Sequence, residues 1–133
     1  MGAKPSSKIF FKECFLKQEL PVVQKAYDLA KEILPRVSKF PRDYKFTLGD
    51  RITAKVLDTL ENVIQAAYRK EKKALLETAN LNLEQLRFHL RLACELGSLS
   101  QNGFEHVMKL VTELGRQIGG WLKHSQSHHA QDL

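Results

Sequence analysis

The side chains in this sequence that could do chemistry are few, and their spacing points away from catalysis. An enzyme needs an acid, base, nucleophile or metal set converging on one point, and helical proteins that hold paired metal ions present inward Glu-x-x-His pairs. No Glu-x-x-His occurs. His89 and His106 stand alone, while His124, His128 and His129 fall in or beside a tail rich in Ser, Gln and His, which reads as solvated rather than metal-binding. Cys14 and Cys94 lie far apart and outside any Cys-x-x-Cys spacing, so neither a disulfide framework nor a zinc site is expected and both read as small apolar residues. Gly119-Gly120 lacks the lysine of a phosphate-binding loop and reads as a close helix approach or as fraying. No catalytic residue, metal or cofactor is expected.

The chemistry that remains is that of fixed positive charge. Arg51, Lys55, Arg69 and Lys73 fall within about 40° of one another at 100° per residue if one helix carries them all, opposite an apolar stripe containing Leu60 and Ile64. Lys70 and Lys72 widen the cluster, so that Arg69-Lys70-Glu71-Lys72-Lys73 wraps about half the helix, which suits contact with a row of phosphates better than one ion pair. Asp58 and Glu61 interrupt the line, and the competing reading is an ordinary solvated face with i,i+4 pairs. Further on, Phe88 and Leu92 lie roughly 160° to 200° from Leu90 and cannot share one core with it. A subunit interface is the expected explanation, against a few tolerated exposed side chains. Arg87 and Arg91 beside them could contact RNA or pair with Glu84 and Glu95.

Charge and length set the frame for these residues. The chain has 133 residues, 43% hydrophobic and 27% charged, which fits one folded domain and not a disordered chain. The net charge is +6, consistent with a polyanionic partner although charge also serves solubility. Residues 1–46 hold ten Lys and Arg against five Asp and Glu, whereas residues 97–133 hold three against three, so the basic N-terminal third is the first place to look. No apolar run approaches the roughly 20 residues of a membrane span, and Lys12 and Glu13 interrupt the stretch from Ile9 to Leu16. A cytoplasmic protein without membrane association is expected.

The elements that must position these residues are helices. Residues 1–19 lack a clean period and read as a partly mobile extension, residues 20–124 as the folded domain, and residues 125–133 as a disordered tail. Pro21 suits a first helical turn, and Val23, Ala26, Tyr27, Ala30, Ile33, Leu34 and Val37 follow at helical spacing to an end near Phe40-Pro41, with Pro35 kinking the last turn. Thr47 as N-cap with Asp50 three residues later starts a second helix, whose stripe of Thr53, Leu57, Leu60, Ile64, Ala67, Ala74, Leu75 and Thr78 predicts up to about 30 residues. Asn80 to Asn82 breaks that run. Leu83, Leu86, Leu90 and Ala93 mark a third helix closed by Gly97, and Ser100 caps a fourth that carries Phe104, Val107, Val111, Leu114, Ile118 and Leu122 to an end near His124. Four amphipathic helices with short connections and no strand signal predict an all-α fold, an antiparallel up-down-up-down four-helix bundle.

One pattern in the chain points to a family. Phe40-Pro41, Phe46-Thr47-Leu48-Gly49-Asp50-Arg51-Ile52, Leu86-Arg87, Leu90-Arg91-Leu92-Ala93, Glu95-Leu96-Gly97 and Ile118-Gly119-Gly120-Trp121-Leu122 come in this order. From about Tyr27 to Leu122 the chain resembles the four-helix-bundle family of Avd, the accessory variability protein of diversity-generating retroelements, whose relatives include the ribosomal-RNA intervening-sequence proteins. The resemblance implies a homopentamer of bundles with a basic surface that binds the element's reverse transcriptase and its template RNA and supports mutagenic complementary-DNA synthesis. The nucleic-acid-binding residues would be Arg51, Lys55, Arg69, Lys70, Lys72, Lys73, Arg87 and Arg91, with RNA as the ligand and DNA as an alternative, and Phe88 and Leu92 would lie between subunits. The competing function is a structural protein-interaction bundle whose basic charge is incidental.

Overall fold

The computed structural model describes residues 19–132 of the chain, with side-chain surroundings for residues 21–126. Among the described residues there are five helices and no strand: α1 Glu19–Ser38, α2 Arg42–Lys45, α3 Leu48–Tyr68, α4 Lys73–Glu95 and α5 Gln101–Asp132. The all-helical fold expected from the periodicity is present. The expected N-terminal extension, apart from Glu19, and Cys14 with it, lie outside the described residues.

Four long helices share one core. Helix α3 packs against α1 and α4, and α5 packs against α4 and α1, while the short α2 rests on α3. Leu29 and Ile33 from α1, Ile52, Val56 and Val63 from α3, Leu76, Leu83, Leu86 and Leu90 from α4, and Val107, Leu114 and Ile118 from α5 are removed from solvent almost completely. Each such side chain contributes about 1.5–3 kcal/mol at full burial, so this interior is the main source of stability. Thr59 is buried among them and its hydroxyl donates to the Lys55 carbonyl at 2.7 Å, which satisfies the one polar group it brings inside.

The middle of the chain departs from the expected layout. The long second helix ends at Tyr68, and the next starts at Lys73. Arg69, Lys70, Glu71 and Lys72 offer no apolar side chain to a core, and Arg69 is extended with φ −110° and ψ 148°. The expected break at Asn80 to Asn82 does not occur. Ala79 and Leu83 keep the buried face continuous across it, and Asn82 is itself buried. The buried stripe of α3 is also one residue out of register with the expected one, running through Ile52, Val56, Thr59, Val63 and Ala66. Both stripes are apolar, and Leu60, Ile64 and Ala67 pack partly buried beside the core.

The helix ends show which signals were real. Gly97 has φ +81°, and the Ser98 N–H donates to the Ala93 carbonyl at 2.9 Å while the Gly97 N–H donates to Cys94 at 3.1 Å, a Schellman closure of α4 that needs a left-handed residue. Ser100 caps α5 by accepting from the Gly103 N–H at 3.0 Å. Thr47 makes no side-chain cap. Its hydroxyl instead donates back to the Tyr44 carbonyl at 3.4 Å. Helix α5 continues past His124 to Asp132, because no proline or glycine follows Gly120 and each further residue adds a backbone hydrogen bond. Neither Gly119 nor Gly120 marks a close approach, since a Cβ at either would meet no described atom within 4 Å.

Candidate nucleic-acid interface

The expected line of four cations along one helix does not exist. Arg51 and Lys55 lie in the first two turns of α3, whereas Arg69 follows its end and Lys73 opens α4. The 21 residues of α3 span about 31 Å at 1.5 Å per residue. The cations therefore form two groups at opposite ends of α3. A helix predicted to run unbroken to Thr78 had placed both groups on one face.

At the junction of α3 and α4, Arg69, Lys70 and Lys73 are exposed. Lys72 is not equivalent to them. Its ammonium donates to the Ala66 carbonyl at 2.6 Å and to the Arg69 carbonyl at 2.5 Å, which satisfies acceptors left open at the end of α3. It also lies 5.8 Å from the centre of the buried Trp121 ring on α5, within cation–π range. Lys72 thus ties the connection to α5.

At the other end, Arg51 and Lys55 face His89 across the α3–α4 packing. Burial, then the charges of Lys55 and Arg51, hold the His89 imidazole below its ordinary value. Its Nδ1 is buried without a hydrogen-bond partner. Neither Arg51 nor Lys55 has a carboxylate within ion-pair distance among the described residues, so this corner concentrates uncompensated positive charge.

Arg87 and Arg91 differ from each other as well. The Arg87 guanidinium is half-buried, donating to Glu84 Oε1 at 3.1 Å and to Thr112 Oγ1 on α5 at 3.1 Å. It bridges two helices. Arg91 approaches Glu95 at 3.6 Å with both side chains exposed, an arrangement worth little in water. Of the remaining ion pairs, Glu32 on α1 accepts from Arg36 and lies 3.3 Å from His106 on α5. Glu113 accepts from Arg116 and from Gln117, which hold its carboxyl down to about 2.

The apolar outer face of α4 is present in the subunit. Phe88 is 68% exposed and Leu92 45%, with Leu81 also exposed, and steps of 100° place the three within about 40° of one another. Leu83, Leu86 and Leu90 fill the opposite face. Leu81 is a member that the sequence reading missed, since it fell inside the expected break at Asn80 to Asn82. A second omission is Phe46, which is exposed between α2 and α3 with the Lys45 ammonium 5.7 Å from its ring centre.

Among the described residues no three His, Cys, Asp or Glu side chains come together in a way that could hold a metal ion. No helix among them is long and apolar enough to cross a membrane. What the arrangement offers is positive charge at both ends of α3 and an apolar stripe along α4. The family described as bAvd-like matches residues 20–125, which takes in both basic groups and the apolar stripe of α4. No curated protein matches the chain. With four-fifths of its length covered by that match, from the second residue of α1 into the last third of α5, the chain belongs to the bAvd-like family.

Proposed function

We propose that this protein is a non-enzymatic accessory subunit of a diversity-generating retroelement, an oligomer that binds the element's reverse transcriptase and template RNA. The observation that carries the reading is the family match over residues 20–125. Arg51 and Lys55 at one end of α3, and Arg69, Lys70 and Lys73 at the other, supply phosphate contacts, and Arg91 adds a weaker one. Lys72 and Arg87 position the connection and the α4–α5 pair instead. In this reading the four long helices run up-down-up-down as an antiparallel four-helix bundle, in keeping with each of them packing on two neighbours in a ring. Subunits meet through Leu81, Phe88 and Leu92, and the homopentamer is the state that the resemblance implies. The protein works in the cytoplasm beside its RNA, with DNA as an alternative polyanion.

The second reading, a protein-interaction bundle without a nucleic-acid role, is favoured by the number of cations already engaged within the fold, Arg36, Lys72, Arg87 and Arg116. Co-expression of the tagged chain with the reverse transcriptase and template RNA of its element separates the two. The expected result is co-elution of all three components, with RNA lost from the complex at high salt. Recovery of the chain free of both polymerase and RNA at low salt would overturn the proposal.

A further inference from the structure

Of the seven arginines in α1 to α5 and their connections, Arg36, Arg87, Arg91 and Arg116 each have a carboxylate partner. Arg42, Arg51 and Arg69 have none among the described residues, and the first two of these flank the elbow between α2 and α3. Lys39 and Lys45 stand at the same elbow and are likewise outside every ion pair found there. At its apex is Phe46, 65% exposed. A single exposed phenyl ring needs no explanation by itself. This one has the Lys45 ammonium 5.7 Å from its ring centre, lies in a stretch where Lys39, Arg42, Lys45 and Arg51 outnumber Asp43 and Asp50, and is held on a fixed backbone.

The rigidity is local and specific. The Tyr44 and Lys45 N–H groups donate to the Pro41 carbonyl at 3.0 and 2.9 Å, and Phe46 closes α2 with φ −94° and ψ 3°. Immediately after it the Thr47 hydroxyl returns to Tyr44. Gly49 then packs so closely that a Cβ there would lie 3.1 Å from Val37 Cγ1 and 3.5 Å from the Tyr44 carbonyl oxygen. The elbow is thereby fixed against the end of α1, so the backbone that presents the ring to solvent has little freedom left to lose on binding.

We propose that Phe46 is a stacking platform for an unpaired base of single-stranded RNA, with Lys39, Arg42, Lys45 and Arg51 holding the phosphates on either side. This rests on the RNA-binding reading above and adds to it the form of RNA recognised. Aromatic faces with flanking cations accept any base of a single strand, whereas bases stacked within a duplex are not available to them. Sequence-tolerant recognition of an unpaired segment follows.

The test compares a uridine oligonucleotide with an abasic ribose-phosphate strand of equal length and charge, by fluorescence anisotropy at fixed salt. Wild-type protein is expected to bind the base-bearing strand roughly tenfold more tightly. Phe46→Ala and Phe46→Leu should each bring that strand down to the abasic affinity, which itself stays unchanged. Replacing Arg42 and Lys45 together by Gln should weaken both strands. Equal wild-type affinity for the two strands overturns the stacking role and leaves RNA binding standing. Binding of neither strand removes both readings. A base preference that survives in Phe46→Ala, or a smaller particle for that variant in light scattering, also overturns the assignment, because the ring would then be dispensable or buried between subunits.

Discussion

An ammonium group that spends its donors on backbone carbonyls has little left to offer a phosphate, and Lys72 is in that position. Its contacts to Ala66 and Arg69 and its place over Trp121 make it part of the closure of α3. Lys72→Met is expected to lower stability by about 1.5–3 kcal/mol in urea unfolding, the usual range for hydrogen bonds made by a charged group, while leaving RNA affinity nearly intact. Lys70→Gln should do the reverse. His89 gives a second expectation at this scale. Its folded-state value is depressed below the ordinary 6.5 by burial and by Lys55 and Arg51, so the unfolded chain binds its proton more readily. The stability it contributes is therefore complete above that ordinary value and is lost as pH falls through it toward the lowered one. Urea unfolding at about pH 8 and about pH 5.5 should show wild type losing more stability on acidification than His89→Gln, since only the wild type must then keep a neutral imidazole beside two cations. An equal loss in the two proteins would show that His89 titrates normally.

At the scale of the element, the helices differ in how much of each could be read from the residues. Periodicity gave α5 its face and most of that of α1, where Tyr27 is exposed instead and Val22 and Leu29 are buried, and Ser100 and Gly97 marked ends that the backbone confirms. The α3–α4 turn was illegible for a physical reason. Apolar residues continue at helical spacing on both sides of Arg69 to Lys72, so a periodic reading runs straight across four charged residues that cannot bury. The register of α3 was ambiguous for a related reason, because Ile52, Val56 and Val63 lie one residue away from Thr53, Leu57 and Ile64 and both sets are mostly apolar. Only the packing against α1 and α4 decides between them. Ile52→Ala is expected to cost about 2–5 kcal/mol, as for other fully buried truncations, and Leu57→Ala distinctly less. Equal costs would mean that the two stripes share the core. Half of the candidate site was recoverable in the same sense. Arg51, Arg69, Lys70 and Lys73 are exposed and Lys55 half-buried, but their division into two groups depends on where the helix stops. The Phe46 elbow carried a signal in the basic stretch from Lys39 to Arg51, but helical periodicity says nothing about it because the ring lies between two helices.

For the whole molecule, the proposed function assigns self-association to the exposed stripe of Leu81, Phe88 and Leu92 and RNA contact to the two basic groups. Light scattering at tens of micromolar, a range that reveals even modest association, should give an oligomer for the wild type and a smaller species for Phe88→Glu combined with Leu92→Glu, with helicity unchanged. An oligomer presents each basic group several times, so avidity raises affinity without new contacts. Binding should then be governed by charge, and a salt titration of single-stranded RNA binding examines that dependence. Wild-type affinity is expected to fall linearly on logarithmic axes as salt rises, and replacing Arg69, Lys70 and Lys73 together by Gln should reduce the steepness by about 2, given roughly 0.7 per phosphate contact on a single strand. Fold and oligomeric state should not change, because all three side chains are exposed. A wild-type protein that fails to bind at low salt, or a triple variant that follows the wild-type line throughout, would contradict the account.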